Sequence, residues 1–290
     1  MGSFRTRCLS CSRVFAQTHG RDSSSQSGQQ PSSSTAKSTT APTSRAGDEL
    51  KSPAAAGAGE AAKPTADRGW FSRLLGIQTI EPMKGAHSSM LADKETVYEL
   101  STHNVSPGEM DHYLSQYETY STLHHNLHAE TQLVGSWKVV IGNQDQAVHL
   151  WRHSEGYNGL DRSVRLQQSN QELKQMINDQ AKLCTKRSSV IILPFSFWGE
   201  PKPRSPKHIY ELRTYVLKPG TMIEWANNWA RGIHMRRDVN QDVGGFFSQI
   251  GYLYVVFHFW AYSDLATRKK IREDTWRKPG WDTNVAYTGT

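Results

Sequence analysis

The fold of this chain is decided by a stretch of sequence that occurs twice. It first reads Val97-Tyr98-Glu99-Leu100-Ser101-Thr102, and it returns as Ile209-Tyr210-Glu211-Leu212-Arg213-Thr214. The tyrosine, glutamate, leucine and threonine recur at one offset, and at the same offset Pro107-Gly108 returns as Pro219-Gly220. A repeat of this length, about 110 residues, predicts a duplicated domain and not a solenoid of short units.

Each copy shows the same succession of local patterns. Runs rich in β-branched and aromatic residues predict first strands at Tyr98–Val105 and Ile209–Leu217, and the Pro-Gly pair that follows predicts a helix start. Apolar residues at helical spacing come next, among them Trp225 and Trp229 in the second copy. The first copy closes with an apolar run at Ser189–Trp198, which predicts a final strand.

The third predicted strand of each copy ends in a second matching tripeptide. His149-Leu150-Trp151 in the first copy corresponds to His258-Phe259-Trp260 in the second. In the first copy a turn is predicted at Gly142–Asp145, before this strand, and one helix is predicted after it, near Gly159–Leu183. The order strand, helix, strand, strand, helix, strand predicts an α+β, ferredoxin-like module with both helices on one face of the sheet. Two such sheets can cover each other's open faces as an α+β barrel, within one chain or between two chains.

Composition divides the chain into five parts. Residues 1–21 carry four arginines and no acidic residue, and a basic amphipathic helix of this kind is typical of a mitochondrial targeting presequence. The alternatives are a basic disordered tail and, because the first six residues fit the short pattern, an N-myristoylation site. Residues 22–69 contain too few apolar residues to fold and are predicted to be a disordered tether. The first module is assigned to residues 70–198, a proline-containing linker to 199–207, and the second module to 208–290.

Charge and cysteine content argue against several classes of protein. The net charge is +7, but residues 1–65 hold eight Lys and Arg against four Asp and Glu, which leaves +3 for the rest. That remainder is too small to suggest a nucleic-acid-binding surface, and no apolar run approaches the ~18 residues of a membrane span. Three cysteines argue against a secreted disulfide scaffold, and the Cys8-x-x-Cys11 motif lacks the second pair that a structural metal site needs.

Long runs in both copies resemble the NipSnap family. They are Gln144–Trp151 in the first copy, and Leu217–Trp225 and Gly244–Gly251 in the second. The resemblance covers about residues 70–285 and implies a dimeric α+β barrel fold and a mitochondrial protein, mainly in the matrix. For animal members it also implies a part in mitophagy, in which the protein is held on the outer surface of depolarised mitochondria and recruits autophagy receptors and autophagy modifiers. Implied partners are therefore these proteins, the mitochondrial import machinery and a second copy of the chain.

The resemblance also bears on the end of the second copy. NipSnap relatives continue past Trp281-Asp282 with a tail that would supply the last strand, whereas here Ala286–Thr290 ends the sequence. The second sheet is therefore predicted to have three of its four strands and an unpaired edge.

Two pairs of equivalent polar residues are candidates for chemistry. His149 and His258 could bind haem or a metal, the alternative being hydrogen-bonded histidines that were duplicated with the repeat. Glu99 and Glu211 could act as acid and base, although each is more simply expected to pair across strands with an arginine such as Arg213. The family has no agreed catalytic residues, so neither a catalytic residue nor a cofactor is predicted.

Two further groups of residues are candidates for binding. His124-His125 and His128 could be ligands, or cations near a helix C-terminus. Phe71-x-x-Leu74 fits the aromatic-x-x-aliphatic pattern that autophagy modifiers bind by strand addition. The function expected from the sequence is a non-enzymatic adaptor in mitochondrial quality control. The alternatives are a small-molecule or haem-binding barrel, which could be an enzyme, and an interaction protein of vesicular transport.

Overall fold

A computed structural model describes residues 12–18, 91–92, 95–202, 207–237 and 240–288, with only the backbone path given for 12–18. Within these residues eight strands close into a barrel in the order β1-β3-β4-β2-β5-β7-β8-β6. The strands are β1 (Ser12–Thr18), β2 (Val97–Val105), β3 (Thr131–Ile141), β4 (Gln146–His153), β5 (Cys184–Pro194), β6 (Ile209–Val216), β7 (Asp242–Ile250) and β8 (Val255–Tyr262). The helices are α1 (Met110–Leu127), α2 (Gly156–Ser169), α3 (Gln171–Lys182), α4 (Met222–Arg237), α5 (Leu265–Trp276) and α6 (Trp281–Thr288).

The two copies fold as ferredoxin-like modules, which confirms the predicted fold class. In each copy the first strand pairs antiparallel with the third, so that Glu99 lies opposite Trp151 and Glu211 lies opposite Trp260. Strand β5, the last of the first module, pairs antiparallel with β7 of the second. Of the two arrangements that the sequence leaves open, the barrel within one chain is therefore the one that forms.

The second sheet was predicted to have an unpaired edge strand, and this prediction is wrong because that strand, β6, is paired. Strand β1 pairs with β6 on one side and with β3 on the other, parallel to both. The second copy contributes three strands, as predicted, and β1 lies where its fourth strand would complete the barrel. An extended segment is favoured there because β3 and β6 each present backbone N–H and C=O groups that need partners.

Strand β1 also corrects the local structure predicted for the leader. The amphipathic helix predicted over residues 1–21 is replaced at Ser12–Thr18 by an extended strand. A helix satisfies its own backbone, whereas a strand at this position satisfies the backbone of two neighbours as well.

Alternation along the strands separates an inner from an outer layer. Tyr98 and Leu100 of β2, with Tyr210 and Leu212 of β6, belong to the apolar cluster that fills the barrel. The residues between them, such as Glu99, face the layer beneath the helices, because successive side chains of a strand point to opposite faces. The tryptophans of the matching tripeptides, which are Trp151 and Trp260, belong to two separate outer clusters.

The repeated Pro-Gly pairs serve the turns that lead into the helices. Gly108 and Gly220 have φ angles of 87° and 83°, in the left-handed region that glycine adopts without strain. The single helix predicted at Gly159–Leu183 is instead two helices, because Asn170 lies between them with extended backbone angles. Its side chain accepts hydrogen bonds from the backbone N–H groups of Glu172 and Leu173, which starts α3.

Candidate functional site

The second module holds an ion-pair cluster beneath its helices. Glu211 of β6 accepts hydrogen bonds from Arg213 at 3.0 Å and from the Nε and Nη2 atoms of Arg268, on α5, at 3.0 and 2.6 Å. Its side chain is 1% exposed. Burial by itself would raise the pKa of Glu211, but the two guanidinium groups outweigh it and lower that pKa to about 2. Glu211 therefore pairs with Arg213 as predicted, but not across strands, because Arg213 lies on the same strand and the second partner, Arg268, lies on a helix.

The first module lacks both arginines at the corresponding positions. Ser101 stands where the second copy has Arg213, and Gly159 stands where it has Arg268. Glu99 instead accepts a hydrogen bond from the Ser101 hydroxyl at 3.0 Å and lies 3.9 Å from Nε2 of His153. Burial raises the pKa of Glu99, yet the His153 ring and the hydroxyls of Ser101 and Ser189 bring that pKa below its ordinary value. The expected arginine partner is thus absent for Glu99 among the described residues, and its carboxylate is still ionised at neutral pH.

A cavity of about 270 Å³ lies beside Glu99. Its walls come from the four strands β2, β3, β4 and β5 and from the three helices α1, α2 and α3, with Arg187 among the lining residues. Tyr117, Tyr120 and Trp151 supply aromatic surface. The cavity is slightly smaller than the pockets of ~300–1,000 Å³ that hold drug-sized ligands, so it suits a small molecule.

Two of the imidazoles that line this cavity, those of His103 and His124, are neutral at physiological pH. Burial lowers the pKa of His103 to about 4, helped by the charge of Arg187. Burial likewise lowers the pKa of His124 to about 4, helped by the neighbouring His128. The Nδ1 atom of His124 and the Nε2 atom of His153 are buried without a hydrogen-bond partner among the described residues. The cavity is therefore lined by one carboxylate, that of Glu99, by the guanidinium of Arg187, and by polar atoms that still have hydrogen-bonding capacity.

His149, a candidate haem or metal ligand, is enclosed in the first module. It is 0% exposed and does not line the cavity. Its Nε2 bonds to the hydroxyl of Tyr113 and its Nδ1 to that of Ser136, both at 2.8 Å, and its ring stacks on Tyr117 at 3.6 Å. Burial, with His103 nearby, holds the pKa of His149 well below its usual range. Both ring nitrogens are therefore engaged within the protein.

His258 occupies the equivalent position in quite different surroundings. It is 0% exposed, and its ring packs against Trp198 at 4.5 Å and Trp229 at 4.8 Å. Neither ring nitrogen has a hydrogen-bond partner among the described residues. Burial, together with Arg213 and Arg236, keeps the pKa of His258 far below its ordinary value. A haem could reach neither histidine without displacing the aromatic side chains that enclose it.

Of the remaining predicted candidates, the three histidines of the first module are hydrogen-bonded within the protein, and the others lie outside the described residues. His124 donates to or accepts from Ser163 at 2.9 Å, while His125 and His128 make longer contacts to backbone carbonyls. In the described part of the chain no three His, Cys, Asp or Glu residues are grouped as a metal site requires. Phe71, Leu74 and the Cys8–Cys11 pair lie outside the described residues.

A second feature, missed at the sequence level, is an exposed apolar turn between β7 and β8. Tyr252, Leu253 and Tyr254 are 54%, 71% and 40% exposed, and Val216 beside them is 74% exposed. The backbone N–H of Leu217 bonds to the carbonyl of Tyr254 at 2.8 Å, which brings the end of β6 against this turn. Contiguous exposed apolar residues of this kind mark interaction surfaces.

The corresponding turn of the first module has the same backbone but polar residues. Asp145 and Tyr254 both have a φ of 58°, and the Asp145 carbonyl accepts from Val105 just as that of Tyr254 accepts from Leu217. Asparagine and aspartate tolerate this left-handed conformation, whereas tyrosine adopts it rarely. The fold therefore does not require Tyr252–Tyr254, since Asn143–Asp145 makes the same turn.

Both features could have been found by comparing the copies for differences as well as identities. The replacement of two arginines by Ser101 and Gly159 signals a carboxylate without the arginine partners of its equivalent, and Tyr252–Tyr254 in place of Asn143–Asp145 signals the apolar turn. The cavity itself carries no sequence signal, because its walls come from seven elements.

The sequence of this chain is similar to one protein family over most of both modules. A family model described as NIPSNAP matches residues 98–197 and again residues 210–290. Human NipSnap homolog 2 is 47% identical over 76% of this chain and 77% of its own length. A Caenorhabditis elegans NipSnap protein is 49% identical over 76% of this chain, which spans only 43% of that longer relative.

One solved structure supports the fold alone. A Lactobacillus acidophilus protein, whose monooxygenase function is itself only proposed, superposes with a TM-score of 0.51 at 9% identity, over 67% of this chain and 87% of its own. At that identity the likeness does not extend to activity. Among the helices that the structure describes, none is both long and apolar enough to cross a bilayer.

Proposed function

Because this chain belongs to the NipSnap family, we propose that it is a mitochondrial adaptor that recruits autophagy receptors when mitochondria are depolarised. The proposal includes a matrix location in healthy mitochondria, an outer-surface location after depolarisation, and no catalytic role. Its partners are the import machinery, autophagy receptors and modifiers, and a second copy of the chain.

The observation that carries the proposal is the exposed turn Tyr252–Tyr254. These residues place large apolar side chains in water and impose a left-handed conformation on a tyrosine, both of which cost free energy. The first module makes the same turn with Asn143–Asp145 at no such cost. A surface that opposes stability and is dispensable for the fold is best explained by a protein partner, and we assign it to the autophagy receptor.

The leader supports the proposed location. Residues 1–21 are basic, lack acidic side chains and are followed by a long polar segment, as in an imported precursor. The test is subcellular fractionation with protease protection, before and after depolarisation. We expect the protein to be protected from added protease in energised mitochondria and to become protease-sensitive after depolarisation. A cytosolic protein in both states would contradict the proposed location.

Receptor recruitment is tested with variants that the repeat itself supplies. Replacing Tyr252, Leu253 and Tyr254 by Asn, Gln and Asp transfers the turn of the first module into the second. Autophagy-receptor binding should fall at least tenfold in co-precipitation from depolarised cells, with the melting temperature unchanged or raised. The double variant Phe71→Ala and Leu74→Ala separately tests the predicted motif for autophagy modifiers.

The outcomes of this comparison are distinct. Unchanged receptor binding in the turn variant would overturn the assignment of this surface. A turn variant that loses only self-association, measured by light scattering, would assign the turn to a second copy and would also count against the receptor. Loss confined to the Phe71 and Leu74 variant would assign recognition of autophagy proteins to the segment that connects β1 to β2 in the chain.

A further inference from the structure

We propose that the cavity beside Glu99 binds a small organic cation with a terminal guanidinium or primary ammonium group. The inference does not depend on the adaptor role, since the cavity lies beneath the helices of the first module and the exposed turn belongs to the second.

The first step is the charge of Glu99. Its equivalent, Glu211, is neutralised by two guanidinium groups at 2.6–3.0 Å. Glu99 has the hydroxyls of Ser101, at 3.0 Å, and Ser189 as partners, and an imidazole nitrogen at 3.9 Å. A largely buried carboxylate is stabilised better by a cation at hydrogen-bond distance than by neutral hydroxyls. Among the described residues no arginine or lysine lies at salt-bridge distance from Glu99, so a small cation could occupy the position that a guanidinium has in the second module.

The second step is the space next to that charge. Arg268 fills the corresponding volume in the second module, and the residue equivalent to it in the first is Gly159 on α2. A Cβ atom placed on Gly159 would lie 3.2 Å from the Cβ of Glu155 and 3.7 Å from the Cβ of His153, the residue that contacts Glu99. With glycine at this position the first module has no arginine where the second module has Arg268. The 270 Å³ cavity lies beside the carboxylate that lacks this arginine.

The third step is the chemistry of the walls. The Nδ1 atom of His124 and the Nε2 atom of His153 are buried and have no hydrogen-bond partner in the described part of the chain, so each can accept or donate a further hydrogen bond. Tyr117 and Trp151 offer aromatic faces that favour organic cations. A bare metal ion fits poorly, because the described residues hold no group of three metal-binding side chains. An anion is disfavoured next to Glu99.

The experiment is calorimetric titration of the full chain with three probes of similar length: agmatine, cadaverine and 1-pentanol. Agmatine carries a guanidinium group and a primary ammonium, cadaverine carries ammonium groups only, and 1-pentanol carries no charge. Saturable one-site binding is expected for at least one cation, with no saturable binding of the alcohol. Comparison of the two cations shows which terminal group the site prefers.

Glu99→Gln keeps the shape of the side chain but removes its charge, and should weaken binding of the cation at least tenfold. Glu109→Gln is the matched control, since it removes the same charge from a residue whose side chain is 46% exposed, outside the cavity. Affinity should be unchanged in this control.

Gly159→Arg restores the arginine of the second module and should abolish binding while the protein remains folded. Absence of binding by the wild-type chain at millimolar concentrations, or equal affinity in the wild type and Glu99→Gln, would overturn the proposal. If Gly159→Arg does not fold, the comparison of Glu99→Gln with Glu109→Gln decides the matter by itself.

Discussion

Arg268 of α5 reaches down to Glu211 of β6 and donates two hydrogen bonds to its carboxylate, from Nε at 3.0 Å and from Nη2 at 2.6 Å. With Arg213 as a second partner, this contact joins the last long helix of the second module to its first strand. We expect Glu211→Gln to lower the free energy of unfolding by about 3–5 kcal/mol, because two partly buried arginines lose their counter-ion. Urea denaturation at pH 7 measures this change. A loss below 1 kcal/mol would show that the cluster contributes little.

The same carboxylate should make stability depend on acid. Its pKa is lowered from 4.5 to about 2 in the folded protein, so its contribution is fully present above pH 4.5 and is lost as the pH falls toward 2. At ~1.4 kcal/mol for each pKa unit, the contribution is on the order of 3 kcal/mol. The difference in stability between the wild type and Glu211→Gln should therefore shrink between pH 4.5 and 2.5. A difference that stays constant over this range would contradict the assignment.

Replacement of the two equivalent histidines by leucine should change the free energy of unfolding in opposite directions. His149→Leu should lower the free energy of unfolding by about 2 kcal/mol or more, because the hydroxyls of Tyr113 and Ser136 lose a buried partner. His258→Leu should raise it by about 1–2 kcal/mol, because both of its ring nitrogens are buried without a partner. Chemical denaturation at pH 7.5 gives both values. Destabilisation of similar size at the two sites would disprove the distinction.

Four histidines with lowered pKa values should weaken the protein in mild acid. The pKa values of His103, His124, His149 and His258 all lie below the ordinary value of 6.5 in the folded state. On unfolding each becomes free to take up a proton, so stability is complete above pH 6.5 and falls progressively below it. Midpoints of urea denaturation should decrease from pH 7.5 to pH 5. His258→Leu should remove part of that decrease, and Glu109→Gln should not.

Strand β1 should contribute to stability although it is remote in sequence from the rest of the barrel. Val14→Pro with Ala16→Pro removes two backbone donors from a strand that pairs with β3 and β6. We expect a lower melting temperature and increased self-association through the exposed strand edges. Ser32→Pro with Ser34→Pro is the control and should leave the melting temperature unchanged. Equal melting temperatures for the two double variants would exclude a structural role for β1.

Much of the architecture could be predicted from the repeat. The positions of Tyr98 and Tyr210 in the barrel interior, and of Trp151 and Trp260 outside it, follow from strand alternation. The break at Asn170 was missed because apolar spacing continues through it, while the cap that starts α3 depends on one side chain. The pairing of β1 was missed because nothing local to residues 12–18 distinguishes a strand held by two distant edges from a basic helix.

The sequence by itself determined the duplicated α+β module, its family and the positions that correspond between the copies, because these follow from local periodicity and from identities at a fixed offset. The tertiary structure alone decided what each corresponding residue does. Glu211 is neutralised by a helix 57 residues away along the chain, whereas Glu99 faces a cavity and His149 and His258 have unlike neighbours. The physical reason is that partners and empty space arise from packing between distant segments, and side chains that differ between the copies change both even where the backbone is the same.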